Sequence, residues 1–77
     1  MTAATATEVV IDAREWLPPE PMEQTLAALR TLEPGQVVVL KLYREPFPLY
    51  RILDHGGWRR HTSLEADGTY VIRIHRP

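Results

Sequence analysis

EVVIDAREWLPPEPMEQTLAALRTLEPGQVVVLKLY, residues 8–43, reads as a strand, a helix and a second strand in that order. Residues 8–12 (EVVID) form a short β-branched run bounded by charge, the pattern of a first strand. Residues 14–17 form a connection. Pro18, Pro19 and Pro21 follow; proline fits the first turn of a helix but not its interior. From Glu20 onward Met22, Leu26, Leu29 and Leu32 recur at i, i+4, i+7 and i+10, one stripe of a helix. Glu20 and Glu23 lie in its first turn, where the helix dipole favours negative charge. Pro34-Gly35 is expected to stop the helix with a residue able to take positive φ. Residues 36–43 (QVVVLKLY) are apolar without interruption from Val37 to Leu40, as an inner strand requires.

Working outward, Arg44-Glu45-Pro46-Phe47-Pro48 opens a second helix whose apolar face is Leu49, Ile52 and Leu53, and His55-Gly56-Gly57 ends it. The last third is a hairpin, residues 58–65 and 69–76, turning at Ala66-Asp67-Gly68. A two-residue turn pairs Leu64 with Val71 and sets His61 beside Ile74. A three-residue turn with left-handed Gly68 pairs Leu64 with Tyr70 and Thr62 with Ile72. The second register segregates Trp58, Thr62, Leu64, Tyr70, Ile72 and Ile74 from Arg59, His61, Ser63, Arg73 and His75. A one-residue slip inverts the faces, so the segregated register is preferred.

The element order is therefore β-α-β-α-β-β. Two helices cover only one face of four strands, which predicts an α+β fold: a two-layer α/β sandwich with a mixed four-stranded sheet and an open sheet face. Residues 1–7 (MTAATAT) carry nothing to bury and are expected to be a disordered tail, with residues 8–77 a single domain.

Composition narrows the function. The 77 residues contain no cysteine, which removes disulfide frameworks, thiolate metal sites and cysteine nucleophiles, and fits a reducing cytoplasm. No apolar run approaches the roughly 20 residues that span a bilayer. Residues 1–7 lack the basic and apolar regions of a signal peptide. The net charge is −1, unevenly spread: residues 1–40 hold two arginines against six carboxylates, and residues 41–77 hold seven cations against four carboxylates. That asymmetry predicts a dipolar surface.

Asp12-Ala13-Arg14, followed by Leu17-Pro18-Pro19-Glu20-Pro21 and Pro34-Gly35, resembles the TusA/SirA-like sulfur carriers over about residues 8–76. In that family a strand ending in Asp-x-Arg leads to a Cys-Pro-x-Pro motif at the first helix, and Pro-Gly closes that helix. Pro19-Glu20-Pro21 corresponds to the Pro-x-Pro. The resemblance implies the same β-α-β-α-β-β fold. Pro18 stands where the carriers place the cysteine whose thiolate, stabilised by the helix N-terminus, accepts persulfide sulfur. Persulfide carriage therefore does not transfer to this chain. The sequence resembles the cysteine-lacking branch called domain of unknown function 2249, whose members resemble companions of hemerythrin-like and nitrogen-oxide metabolism proteins.

The remaining chemistry is sparse. His61 and His75 fall on the open face, diagonal across the hairpin, where they could hold a metal with a further ligand; the plain alternative is solvated histidine. His55 sits at a helix end. Arg59, Arg73 and the two histidines make the open face basic, with Arg60 and Arg76 at its margins, suited to an acidic protein or an anionic ligand. Nucleic acid is disfavoured by the negative net charge and the lack of aromatics between these arginines. Phosphate at the first helix is disfavoured because three prolines remove N–H donors and two glutamates supply charge already. Asp12 and Arg14 read as a pair holding the turn. Trp16, Leu17, Phe47 and Tyr50 lie near the two helix starts, at one end of the sheet, as a contact patch or a core satellite.

The expectation is a non-enzymatic accessory domain without cofactor, docking a protein partner in sulfur, redox or nitrogen-oxide metabolism. Trp16, Pro18, Pro19, Glu20 and Phe47 form one contact region, and Arg59 and Arg73 mark a second. The alternative is a small metal- or anion-binding protein using His61, His75 and the basic face. An open face and a free strand edge are compatible with a homodimer.

Overall fold

Four strands pair into one sheet in the computed structural model, which describes residues 7–77. The tail expected at residues 1–7 lies outside the described residues except for Thr7, whose carbonyl accepts from Val37 N at 2.8 Å and prolongs the ladder. The elements are β1 (Glu8–Asp12), α1 (Glu20–Arg30), β2 (Val37–Leu42), α2 (Phe47–His55), β3 (Arg59–Leu64) and β4 (Tyr70–His75). The sheet order is β1-β2-β4-β3, with β1 parallel to β2 and the β2–β4 and β3–β4 pairs antiparallel.

The hairpin adopts the segregated register. Leu64 faces Tyr70, Thr62 faces Ile72 and His61 faces Arg73. Gly68, at φ +90°, supplies the conformation that L-residues resist. Its N–H donates to Glu65 O at 3.0 Å, and the Asp67 carboxylate accepts from Thr69 N at 2.9 Å.

β4 is a central strand, not an edge, and this explains its composition. Ile72 and Ile74 point at the helices and are fully buried, while Val71 is buried on the opposite face. β3 forms the edge and carries Arg59, Arg60 and His61, charges that discourage edge-to-edge pairing. Both helices pack on the face formed by Val38, Leu40, Leu42, Ile72 and Ile74, through Leu29 of α1 and Leu49, Tyr50 and Leu53 of α2. Each fully buried Leu or Ile contributes about 1.5–3 kcal/mol. The shortest dimension, 20 Å, is that of one sheet plus one helix layer.

Three local expectations change. α1 ends at Arg30 with Thr31 as its C-cap, so Pro34-Gly35 does not stop the helix. Instead Glu33–Gln36 is a tight turn: Gln36 N donates to Glu33 O at 3.0 Å, Pro34 takes the second position, and Gly35 takes the third at φ +86°. Leu32 is buried beyond the helix rather than within its stripe, and the stripe's central member is Thr25, with no exposed surface. On α2, Ile52 is exposed and Tyr50 takes its place in the core. Tyr50 satisfies its polar end locally, which lets an aromatic with a hydroxyl go inside.

Candidate functional site

A groove of about 490 Å³ opens at the end of the sheet where β1 and β2 finish. Its position follows from chain direction. β1 and β2 are parallel, so the β1–α1 and β2–α2 connections emerge side by side, the usual location of a crevice in an α/β layer. Ala13, Leu40, Leu42 and Leu49, all buried, make the floor. Trp16, Leu17 and Tyr43 stand on the walls and are exposed by 36%, 79% and 51%. Pro18, Pro19 and Pro21 line it from the α1 side, and Pro46 and Pro48 from the α2 side.

These prolines give the groove its character. None has a backbone N–H, and each fixes its own φ, so these wall segments are preorganised and contribute no backbone donors. Two N–H groups beside them are engaged, Glu20 N on Leu17 O at 3.1 Å and Phe47 N on Glu45 O at 3.0 Å. Neither helix has a side-chain N-cap bond. The Pro18–Pro19 peptide is cis. Pro18, in the position the resemblance gives to the carrier thiol, is exposed on the groove wall just ahead of α1.

One charge on the groove is fixed in place. The Arg14 guanidinium grips Asp12 through two bonds, Nε to Oδ1 at 2.8 Å and NH2 to Oδ2 at 2.6 Å. Arg14 N adds a weaker third at 3.3 Å. Hydrogen bonding to Arg14 holds the Asp12 carboxyl down at about 2 and raises the guanidinium in turn. The pair shapes the strand-to-helix turn, as its spacing implies. Glu45, also on the wall, accepts from the Tyr50 hydroxyl at 3.0 Å. Arg44 makes no ion pair or hydrogen bond among the described residues.

The residues expected to form one contact region divide. Trp16, Pro18 and Pro19 border the groove. Glu20 is exposed at the start of α1 and is not part of the lining. Phe47 is 60% exposed and also outside the lining; its ring meets Tyr50 edge-to-face at 5.7 Å. Trp16 and Phe47 therefore do not share one pocket, although both belong to the same end of the molecule.

That end is unusually apolar. Of the seven exposed large hydrophobic residues among the described residues, Trp16, Leu17, Tyr43, Phe47 and Leu64 lie there, while Val10 and Ile52 lie elsewhere. Leu64 joins them because the β3–β4 turn falls beside the end of β2, with Leu42 paired to Tyr70. The sequence reading missed Tyr43 and Leu64; the hairpin register was the signal that placed Leu64 here.

The open sheet face is less basic than the sequence implied. Arg60 and Arg76 are not on its margins but turn to the helix side. The Arg60 guanidinium lies over Tyr50 and grips Asp54 at 3.0 and 3.1 Å. Arg76 lies 4.8 Å over the Trp58 ring and donates to Leu32 O at 3.2 Å. On the open face, Arg73 pairs with Glu8 across the sheet at 2.7 Å, and Asp12 is the register partner of Lys41. Arg59 is exposed opposite His75, whose Nδ1 contacts Arg76 O at 2.8 Å. His61 and His75 do sit diagonally on this face, but among the described residues no three His, Cys, Asp or Glu side chains converge as a metal would need. His55 occupies the last turn of α2.

No helix among the described residues is long and apolar enough to cross a membrane. The fold is similar to that of a SirA-like protein from Desulfitobacterium hafniense, with a TM-score of 0.75 at 20% sequence identity, over 84% of this chain and 92% of that one. At that identity the likeness concerns the fold alone. The comparison with curated proteins gave no match. Residues 10–76 match the family model described as "Uncharacterized conserved protein (DUF2249)", and the chain belongs to that family.

Proposed function

We propose that this chain is a non-catalytic docking domain on a TusA-like scaffold. It keeps the end of the molecule at which a carrier's thiol would sit and uses it to hold a protein partner. The observation that supports the reading is the gathering of exposed Trp16, Leu17, Tyr43, Phe47 and Leu64 at the end of the molecule where the groove opens, the first three on its walls. Exposed apolar clusters of this kind mark interaction sites, and aromatic side chains dominate interface energetics. With no cysteine in the chain, sulfur transfer through a protein persulfide has no acceptor atom. The resemblance stated above directs the search for the partner to sulfur, redox or nitrogen-oxide metabolism.

The test is affinity capture from the source cell with quantitative mass spectrometry. A defined partner should be retained by the wild type and by His61→Ala and lost with Trp16→Ala. A partner lost with Arg73→Glu but kept with Trp16→Ala would move the contact to the open sheet face, and no defined partner under varied growth conditions would end the proposal.

A further inference from the structure

We infer that the groove is a binding site for a small organic acid, a carboxylate with an apolar body. The inference goes beyond the docking reading above and does not depend on it, since Phe47 and Leu64, outside the lining, remain available to a protein partner with the groove filled.

The topology leaves donors unpaired at this place. β1 and β2 run parallel and their chains part at the carboxyl ends, where α/β layers hold their ligands. Lys41 O accepts from Ala13 N at 3.0 Å, so its carbonyl faces β1. Alternation along the strand turns the Tyr43 N–H to the same side, beyond the point where β1 has left the sheet. That N–H has no hydrogen-bond partner among the described residues, and neither have those of Leu17, Arg44 and Glu45, all in the lining. Backbone N–H groups are strong donors that call for an acceptor once water is displaced from them.

Charge selects the acceptor. Of the three charged residues in the lining, Arg14 is neutralised by Asp12, and the Glu45 carboxylate accepts from Tyr50. Arg44 has no ion pair or hydrogen bond among the described residues. The Trp16 indole N–H and the Tyr43 hydroxyl are likewise unengaged. One unpaired cation among neutral donors matches a single negative charge, and a guanidinium takes a carboxylate through two parallel bonds. A phosphate dianion needs more positive charge than one arginine beside Glu45 supplies. The floor of Ala13, Leu40, Leu42 and Leu49 selects the body, which must be apolar to cover it. The volume of about 490 Å³ falls within the range of small-molecule sites, roughly 300–1,000 Å³.

The probes are phenylpropionate, its uncharged amide, acetate and phenyl phosphate, each titrated into the full chain and followed by NMR of the backbone amides and the Trp16 indole N–H. Phenylpropionate should bind saturably, move the Tyr43 amide and the Trp16 indole resonances, and bind about tenfold tighter than the amide. Acetate, which lacks the apolar body, should not saturate. Arg44→Gln should remove the advantage of the acid over the amide. Equal binding of acid and amide, an advantage unchanged in Arg44→Gln, or shifts confined to residues outside the groove overturns the inference. Phenyl phosphate binding more tightly than phenylpropionate overturns the choice of a carboxylate. If no probe binds while a cellular partner is still lost on Trp16→Ala, the ligand site falls and the docking reading stands.

Discussion

Arg60 lies over Tyr50, its guanidinium carbon 4.0 Å from the ring centroid. The same guanidinium grips Asp54, and the Tyr50 hydroxyl bridges Thr62 Oγ1 at 2.6 Å and Glu45 Oε2 at 3.0 Å. One tyrosine thus ties α2 to β3 and to the β2–α2 connection. Burial is the main cause that raises the Tyr50 phenol, while the bond to Arg60 lowers the Asp54 carboxyl.

Tyr50→Phe keeps the ring and removes both hydroxyl contacts. The expected cost is about 1–2 kcal/mol, since Thr62 and Glu45 lose a partner at a half-buried site. Urea denaturation of wild type and variant measures it, and an unchanged midpoint would show the bridge to be idle.

Thr25 is fully buried in α1, and its hydroxyl has no hydrogen-bond partner. Thr25→Val keeps the shape and removes the unpaired group. The variant is expected to gain about 1 kcal/mol, a rise in Tm of about 4–8 °C for a domain of this size. A lowered Tm would mean the hydroxyl is satisfied in solution.

Asp12 titrates at about 2 in the folded chain, below its ordinary 3.8, because Arg14 bonds to its charged form. A depressed carboxyl stabilises the fold above its unfolded pKa and loses that contribution as pH falls through the folded value. The stability gap between wild type and Asp12→Asn should therefore be constant from pH 7 to about 5 and shrink between about pH 4 and 2. Urea midpoints across that range test it, and a gap that persists undiminished at pH 2 contradicts the pairing.

Gly68 sits at φ +90° in the β3–β4 turn. Gly68→Ala should cost about 1–2 kcal/mol through backbone strain alone, with space around the new methyl open. Chemical denaturation combined with the cross-strand amide pattern reads both the loss and whether the Leu64–Tyr70 pairing survives. A variant as stable as wild type would place the strain elsewhere.

The sheet was legible because period-2 patterning and one obligatory glycine constrain each other: only one hairpin register kept Thr62 and Ile72 inward with Arg59 and Arg73 outward. Interior residues with polar groups were less legible. Thr25 and Tyr50 are buried because their positions on the helices require it, and sequence hydropathy ranked Leu32 and Ile52 ahead of them. Arg60 alternates off the open face by strand parity, but its stacking on Tyr50 depends on how α2 crosses the sheet. The groove was half legible. Prolines at both helix starts marked the turns, whereas the split between Trp16 and Phe47 depends on side-chain directions that spacing does not carry.

Site-specific photocrosslinking in the source cell tests the proposed docking at the proline-walled end of the molecule. A photoreactive residue replaces Leu17 on the groove wall in one strain and His61 on the open sheet face in another. A single defined protein crosslinked from position 17 and not from position 61 is the predicted result. Crosslinks from position 61 alone, or from neither position, would rule out docking at this end.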